Sequence, residues 1–353
     1  MERIYKIKTL DKNAVSEAKI RWNSIAKPLH SLGKFEKLII KIAGITGSAN
    51  VDLKKKCAVV MCADNGVVRE GISQSDSDVT YIVAKAMAAG DGNINNLCNA
   101  FHADVFVVDA GMVDDFDEND KKKRNVITIK HSNGTGNIAR ECAMDYDECK
   151  SVISSSIDIV RNLKNQGYQM IATGEMGIGN TTTSSAIAAV ILNKTVEDVT
   201  GRGAGLSDEL LENKKLVIEE AIKAHQPDRN HPIDILSKLG GYDIAGMAGI
   251  FLGGAIYHIP VVIDGFISLV AAAIAKMIAA DAADYMIPSH ISKEPAAKWL
   301  MEYLGLEPVI HADMCLGEGT GAVMMFPLLD GVLNIYHSVH SFKNLDIEQY
   351  EEF

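Results

Sequence analysis

Short apolar runs alternate along the chain with amphipathic stretches of ten or more residues, and this alternation predicts most of the elements. Cys57-Ala58-Val59-Val60-Met61-Cys62-Ala63 is apolar throughout, partly β-branched, and stops at Asp64-Asn65-Gly66. Such a run reads as a strand buried on both faces that enters a loop. Further strands are expected at 104–108, 170–173, 259–263, 285–287 and 308–310. Helical spacing covers 14–27, 32–45, 79–89, 147–165, 181–192, 208–225, 243–257, 268–280, 294–304 and 319–329. Strands separated by helices of this length predict an α/β fold, a mostly parallel Rossmann-like sheet with helices on both faces. No linker or repeat divides the chain. The expected organisation is one large α/β domain over 46–328 and a small helical lobe from 1–45 plus 329–353.

Charge narrows the partners. The 353 residues carry a formal charge of −11, whereas a face for nucleic acid or an anionic membrane needs an excess of Lys and Arg. A small phosphorylated ligand stays possible, because a few amides and one Lys suffice to hold it. The uncharged stretch from Ile244 to Ile263 has the length of a membrane span, but it contains several glycines, His258 and Pro260. A buried helix running into a buried strand accounts for it better. The opening MERIYKIKTLDKNAV has no apolar core of signal-peptide length. The six cysteines show no CxxC spacing and the histidines no HxxxH pair. Reduced thiols in the cytoplasm, no metal site and no cofactor are therefore expected. The charged run Asp114 to Arg124 reads as a solvated loop.

Ligands of such a sheet bind beyond the carboxyl ends of the strands, near helix N-termini. Four segments fall there. Gly174-Glu175-Met176-Gly177-Ile178-Gly179-Asn180-Thr181-Thr182-Thr183 joins a strand to a helix, and the amides around Gly177, Gly179, Asn180 and Thr181 suit a phosphate. Its GxxGxG order is not the dinucleotide fingerprint, and no Walker Lys follows. Gly201-Arg202-Gly203-Ala204-Gly205-Leu206 precedes a helix carrying Lys214 and Lys215, the latter read as a solvated helix residue. Asp264-Gly265-Phe266 ends the very apolar strand at 259–263, and its carboxylate either caps the next helix or serves a site. In Leu316-Gly317-Glu318-Gly319-Thr320-Gly321 the Glu has no local capping reason to be there. A loop carboxylate flanked by bare backbone can reach a substrate as a general base.

Taken in order, KPLHSLGKFEKL, ADNGVVREGIS, GEMGIGNTTT, GRGAGL, IPVVIDGF, SHISKEP and LGEGTGA resemble the nicotinate-nucleotide–dimethylbenzimidazole phosphoribosyltransferase family, from about Lys27 to Phe326. The resemblance implies transfer of ribose 5-phosphate from nicotinate mononucleotide to a small aromatic acceptor, with inversion at C1, to give an α-ribotide for a cobamide. It implies Glu318 as general base and Glu175 as a second acidic residue near the acceptor. Gly177, Gly203, Lys214 and Ser292 then surround the 5′-phosphate and ribose, and Met176 and Leu316 flank the acceptor ring. The small lobe from both termini and a dimer, of identical or related subunits, are implied as well.

The sequence departs from the family pattern around the acceptor. Asn65 stands where ADHG is usual, GTRN reads Gly134-Thr135-Gly136-Asn137, and EPGH reads Glu294-Pro295-Ala296-Ala297. An acceptor-side loop usually rich in aromatic residues and Pro reads Ser73-Gln74-Ser75-Asp76-Ser77-Asp78, with Ser77 the expected acceptor contact. Phenol or p-cresol is therefore expected beside dimethylbenzimidazole. Two rivals are a non-catalytic nucleotide-binding subunit that supports an active paralogue, and a hydride-transferring Rossmann enzyme. Retention of both Glu175 and Glu318 counts against the first, and the missing GxGxxG against the second.

Overall fold

The middle of the molecule is strand β1 (Lys56–Ala63), whose eight residues are all buried. Its apolar run has no polar face to turn to water, so it is stable only with a strand on each side and helices above and below. It pairs in parallel with β2 (Asp104–Gly111) and with β4 (Met170–Met176), in registers that set Cys57 opposite Asp104 and Ile171. The sheet is completed by β3 (Val126–Thr128), β5 (Val261–Val262) and β6 (Met286–Ile287). Its order is β3-β2-β1-β4-β5-β6, with every pairing parallel. The strand order reverses between β1 and β4, and a ligand crevice is expected at such a switch point. The computed structural model describes residues 7–337 and 340–351. Residues 1–6, part of the opening on which the leader was judged, lie outside the described residues. So do 338–339 and 352–353 of the expected terminal lobe.

The helices in chain order are α1 (Lys12–Ser24), α2 (Lys34–Thr46), α3 (Asp78–Ala89), α4 (Asn93–Ala100), α5 (Glu118–Lys121), α6 (Tyr146–Asn165), α7 (Asn180–Leu192), α8 (Val196–Val199), α9 (Asp208–His225), α10 (Pro232–Leu239), α11 (Tyr242–Tyr257), α12 (Phe266–Ile278), α13 (Ala297–Leu304), α14 (Thr320–Val323) and α15 (Met325–Tyr336). Helix α11 forms most of the uncharged stretch that has the length of a membrane span, and β5 forms its end. The helix is buried along almost its whole length between β1 and α6, and among the described residues no helix is long and apolar enough to cross a membrane. Helices from the two termini pack on each other: the Trp22 and Tyr336 rings lie 4.9 Å apart, and Arg21 Nε donates to the Tyr336 carbonyl. Their buried side chains join the core beneath the sheet without a break.

Four expectations need correction. The strand expected at 308–310 is a single parallel bridge between Ile310 and His290, since Pro308 cannot donate and the segment is too short to extend. The expected 319–329 helix is split into α14 and α15, and α15 runs on to Tyr336. The expected 294–304 helix starts only at Ala297, after Pro295. The charged run 114–124 holds one helical turn, α5, capped by Asp117. Elements with weak local signals were not expected at all: the three-residue β3, the Asn-rich α4 and the eight-residue α10.

The glycines of α11 are a packing device. A Cβ on Gly249 would stand 2.5 Å from the Ile153 carbonyl and 2.6 Å from Ser156 Cβ, and one on Gly253 would meet Val160. Helix α6 therefore lies against the backbone of α11, and its own backbone is the obstacle. Gly249→Val is expected to destabilise the protein by about 1–3 kcal/mol, the usual cost of overpacking. Urea unfolding would show a lower midpoint at constant slope, and an unchanged midpoint would mean that α6 gives way freely.

Candidate active site

Beyond the carboxyl ends of β4, β5 and β6 the chain surrounds a cavity of about 410 Å³. The β4 loop supplies one wall. Gly179 there takes a left-handed conformation (φ 89°) and starts α7 without a side-chain cap, so the helix begins with bare backbone beside the cavity. This is the geometry in which amide groups and the helix dipole hold an anion. Glu175, Met176, Gly177, Gly179, Asn180 and Thr181 all line the cavity.

Lys214 stands one layer behind this wall. It is fully buried on α9, and its Nζ donates to Thr181 Oγ1 at 2.8 Å and to the Gly201 carbonyl at 3.2 Å. An ammonium has a third donor to give. Burial pushes its pKa down to about 8, opposed by the Glu294 charge. Lys215, by contrast, pairs with Glu197 and Glu212. Glu294 Oε1 accepts the Gly203 amide at 3.0 Å and so fixes the Gly-rich turn at 201–205, while Ser292 lines the cavity beside it.

The opposite wall is the loop Leu316 to Thr320. Gly317, Glu318 and Gly319 all have positive φ, and Glu318 at 58° is a non-glycine residue in a conformation that L side chains rarely hold. Its carbonyl presses against Gly174, where any Cβ would clash. The side chain is buried at the cavity edge. Its Oε1 accepts from Asn93 Nδ2 at 3.0 Å and its Oε2 from the Ile94 amide at 3.2 Å. Asp264 resolves the alternative left open for it. Instead of capping α12 it reaches across to accept the amides of Gly319 (3.2 Å) and Ala322 (2.9 Å), which anchors the Glu318 loop. Burial pushes the Asp264 carboxyl up and the neighbouring His290 imidazole down, and the attraction between the two opposes both shifts.

Between the walls, one amide spans two carboxylates. Asn180 Nδ2 donates to Glu175 Oε2 at 2.5 Å and to Asp243 Oδ2 at 2.9 Å. Burial raises Asp243 to about 6. Glu175 rises to about 8, first through burial and then through the charges of Asp243, Asp264 and Glu318, with the Asn180 hydrogen bond opposing.

Gly203, Ser292, Leu316 and Glu318 thus join the β4-loop residues around one cavity, and Lys214 backs it. Ser77 does not line it. It occupies the N-cap position of α3, while Ser73, Gln74 and Ser75 of the same segment form the rim. Sequence reasoning passed over Asp243, Asn93, His290 and Glu294 as site residues. The last two lay inside a quoted motif, and a lone Asp opening an otherwise uncharged helix was a usable sign of a buried polar partner. Asn93 gave no signal.

A sequence model of a family described as Phosphoribosyltransferase matches residues 7–347. By class, then, the protein is a phosphoribosyltransferase enzyme. The nicotinate-nucleotide–dimethylbenzimidazole phosphoribosyltransferase of Acetivibrio thermocellus is 45% identical over 331 residues, 94% of this chain and 93% of the relative. Its counterpart in Clostridium acetobutylicum is 42% identical over 345 residues, 98% and 97% of the two chains. The crystal structure of CobT from Thermus thermophilus superposes with a TM-score of 0.89 at 31% identity, covering 96% of this chain and 100% of that one. The chain belongs to the nicotinate-nucleotide–dimethylbenzimidazole phosphoribosyltransferase family.

The raised Glu175 pKa has a consequence for stability. The unfolded chain releases this proton near 4.5 and the folded chain near 8. Between those values the folded state binds the extra proton, so the stabilisation it confers is full at low pH and is lost as pH rises through about 8. Glu175→Gln removes the titration. Its melting temperature relative to the parent should therefore climb from about pH 5 to about pH 8. A difference that stays flat over this range would mean that Glu175 is ionised throughout.

Proposed function

We propose that the protein transfers ribose 5-phosphate from nicotinate mononucleotide to an aromatic lower-ligand base, dimethylbenzimidazole or a phenol, and releases an α-ribotide and nicotinate. The observation that carries this reading is the meeting of two walls at one cavity: a capless helix start backed by a buried Lys214, and a buried loop carboxylate, Glu318. The first suits a phosphate monoester, and the second an acceptor that must lose a proton. Family membership supports the same donor and acceptor classes.

In the proposed reaction the bond from C1′ to the pyridinium nitrogen breaks, and its electron pair neutralises the ring as nicotinate departs. A nitrogen lone pair of the benzimidazole, or a phenol oxygen, forms the new bond to C1′ from the opposite face. The proton of the acceptor's N–H or O–H passes to Glu318. Burial and the neighbouring carboxylates raise the Glu175 pKa to about 8, which favours Glu318 for the base role. A cationic pyridinium leaves with its ring neutral, so this donor needs no metal to assist departure.

Glu318→Gln should slow transfer by roughly 10²–10⁴-fold, the usual worth of a positioned general base, with little change in nicotinate mononucleotide binding. The fold should survive, because the Asn93 amide can turn over to accept from the new Gln. A variant that kept the parent rate would move the base role elsewhere.

The phenolic acceptor rests on the rim. Ser73, Gln74 and Ser75 are polar, and Gln74 bonds to the Gly205 carbonyl across from its own loop. Phe266 is the single Phe, Tyr or Trp among the described lining residues, beside apolar Met176 and Leu316. Such a wall offers little stacking area for a bicyclic base but suits one ring with a polar tip. With nicotinate mononucleotide and excess chelator, p-cresol should compete with dimethylbenzimidazole, and mass spectrometry should find both ribotides. Benzimidazole ribotide alone, with and without a co-expressed related subunit, would refute the phenolic reading and leave the transferase reading standing.

A further inference from the structure

The Glu318 carboxylate is held by a helix to which it does not belong. Both of its oxygens meet the first residues of α4, one through the Asn93 side chain and one through the Ile94 amide. Helix α4 does not need Asn93 for its own start. Asn95, buried, accepts the Gly92 amide and closes that turn from within. Asn93 itself is exposed, contributes nothing to the core, and is not on the cavity wall. Its side-chain contact to Glu318 is therefore difficult to explain as packing or as local capping.

A carboxylate anchored at one oxygen can still turn about its terminal torsion, which is broad and two-fold. A second anchor stops that rotation and fixes the direction of the lone pairs left over for a proton. Ile94 supplies one anchor from the backbone, which no side-chain change removes. Asn93 supplies the other. We propose that Asn93 is a positioning residue for the transfer, holding the Glu318 carboxylate in the orientation from which it takes the acceptor's proton. This rests on the reading of Glu318 as the base.

The test uses the full-length protein, nicotinate mononucleotide and dimethylbenzimidazole. Asn93→Ala should lower kcat by about 10- to 100-fold, as misalignment of a reacting group does, while KM for nicotinate mononucleotide changes less than about two-fold. Asn93→Asp separates positioning from structure. An acid in the first turn favours a helix, which offsets the repulsion from Glu318, so the melting temperature should change little. The rate should fall at least as far as in Asn93→Ala, because two carboxylates then face each other. In a Glu318→Gln background, Asn93→Ala should add no further loss, since residues acting through one group are not additive. The proposal is overturned if Asn93→Ala slows Glu318→Gln by the same factor as it slows the parent, or if Asn93→Asp keeps the full rate. A Glu318→Gln enzyme that itself kept the parent rate would overturn the base assignment, and this proposal with it.

Discussion

Everything in the site depends on how the backbone of residues 317–319 is held against strand β4. Three successive left-handed residues, one of them the non-glycine Glu318, do not stay in place through local preference. They stay because Gly174 lets the Glu318 carbonyl lie directly on the strand, and because Asp264 accepts the amides of Gly319 and Ala322 from the end of β5. Strain of this kind persists only where the surroundings over-determine it. Here the strand, the Asp264 carboxylate and the start of α4 each fix one part of the loop. The result is a carboxylate whose direction is set by the neighbouring strand and helix and not by its own loop alone.

The same compression creates an electrostatic problem. Glu175, Asp243, Asp264 and Glu318 approach each other where little water can screen them. The protein meets this with neutral donors and with protons. Asn180 divides its amide between Glu175 and Asp243, His290 lies beside Asp264, and α4 offers two N–H groups to Glu318. Glu175 keeps its proton well above the usual carboxylate range. Two carboxyl groups with different environments can thereby take different tasks at one pH.

On the α7 side of the cavity, a chain of net charge −11 can still form a local surface that suits an anion. Bare amides at the start of α7 and one buried ammonium behind Thr181 provide it. A charge with low-dielectric surroundings acts more strongly than the same charge in water. Overall acidity and a local surface for phosphate are therefore compatible, which is why net charge argues against nucleic acid and not against a mononucleotide.

Periodicity alone determined the sheet-and-helix class, because the runs at 57–63 and 170–173 and the long amphipathic helices carry their burial pattern in their own residues. Glycine spacing and an unexplained Glu318 marked the two walls, since a loop that needs left-handed backbone must spend glycines to form it. Those signals are local, and a sequence displays what is local. It did not display β3, α4 or α10, whose Asn-rich or short segments are ordered by burial against neighbours distant in the chain. Nor did it display that Asp264 serves residues 55 and 58 positions away, that Asn93 reaches Glu318 across 225, or that Ser77 turns away from the cavity that Ser75 lines. Hydrogen bonds across such separations leave no periodicity in the chain. Only the folded arrangement brings their partners within about 3 Å of each other, and so only the tertiary structure decided how the Glu318 carboxylate is aimed.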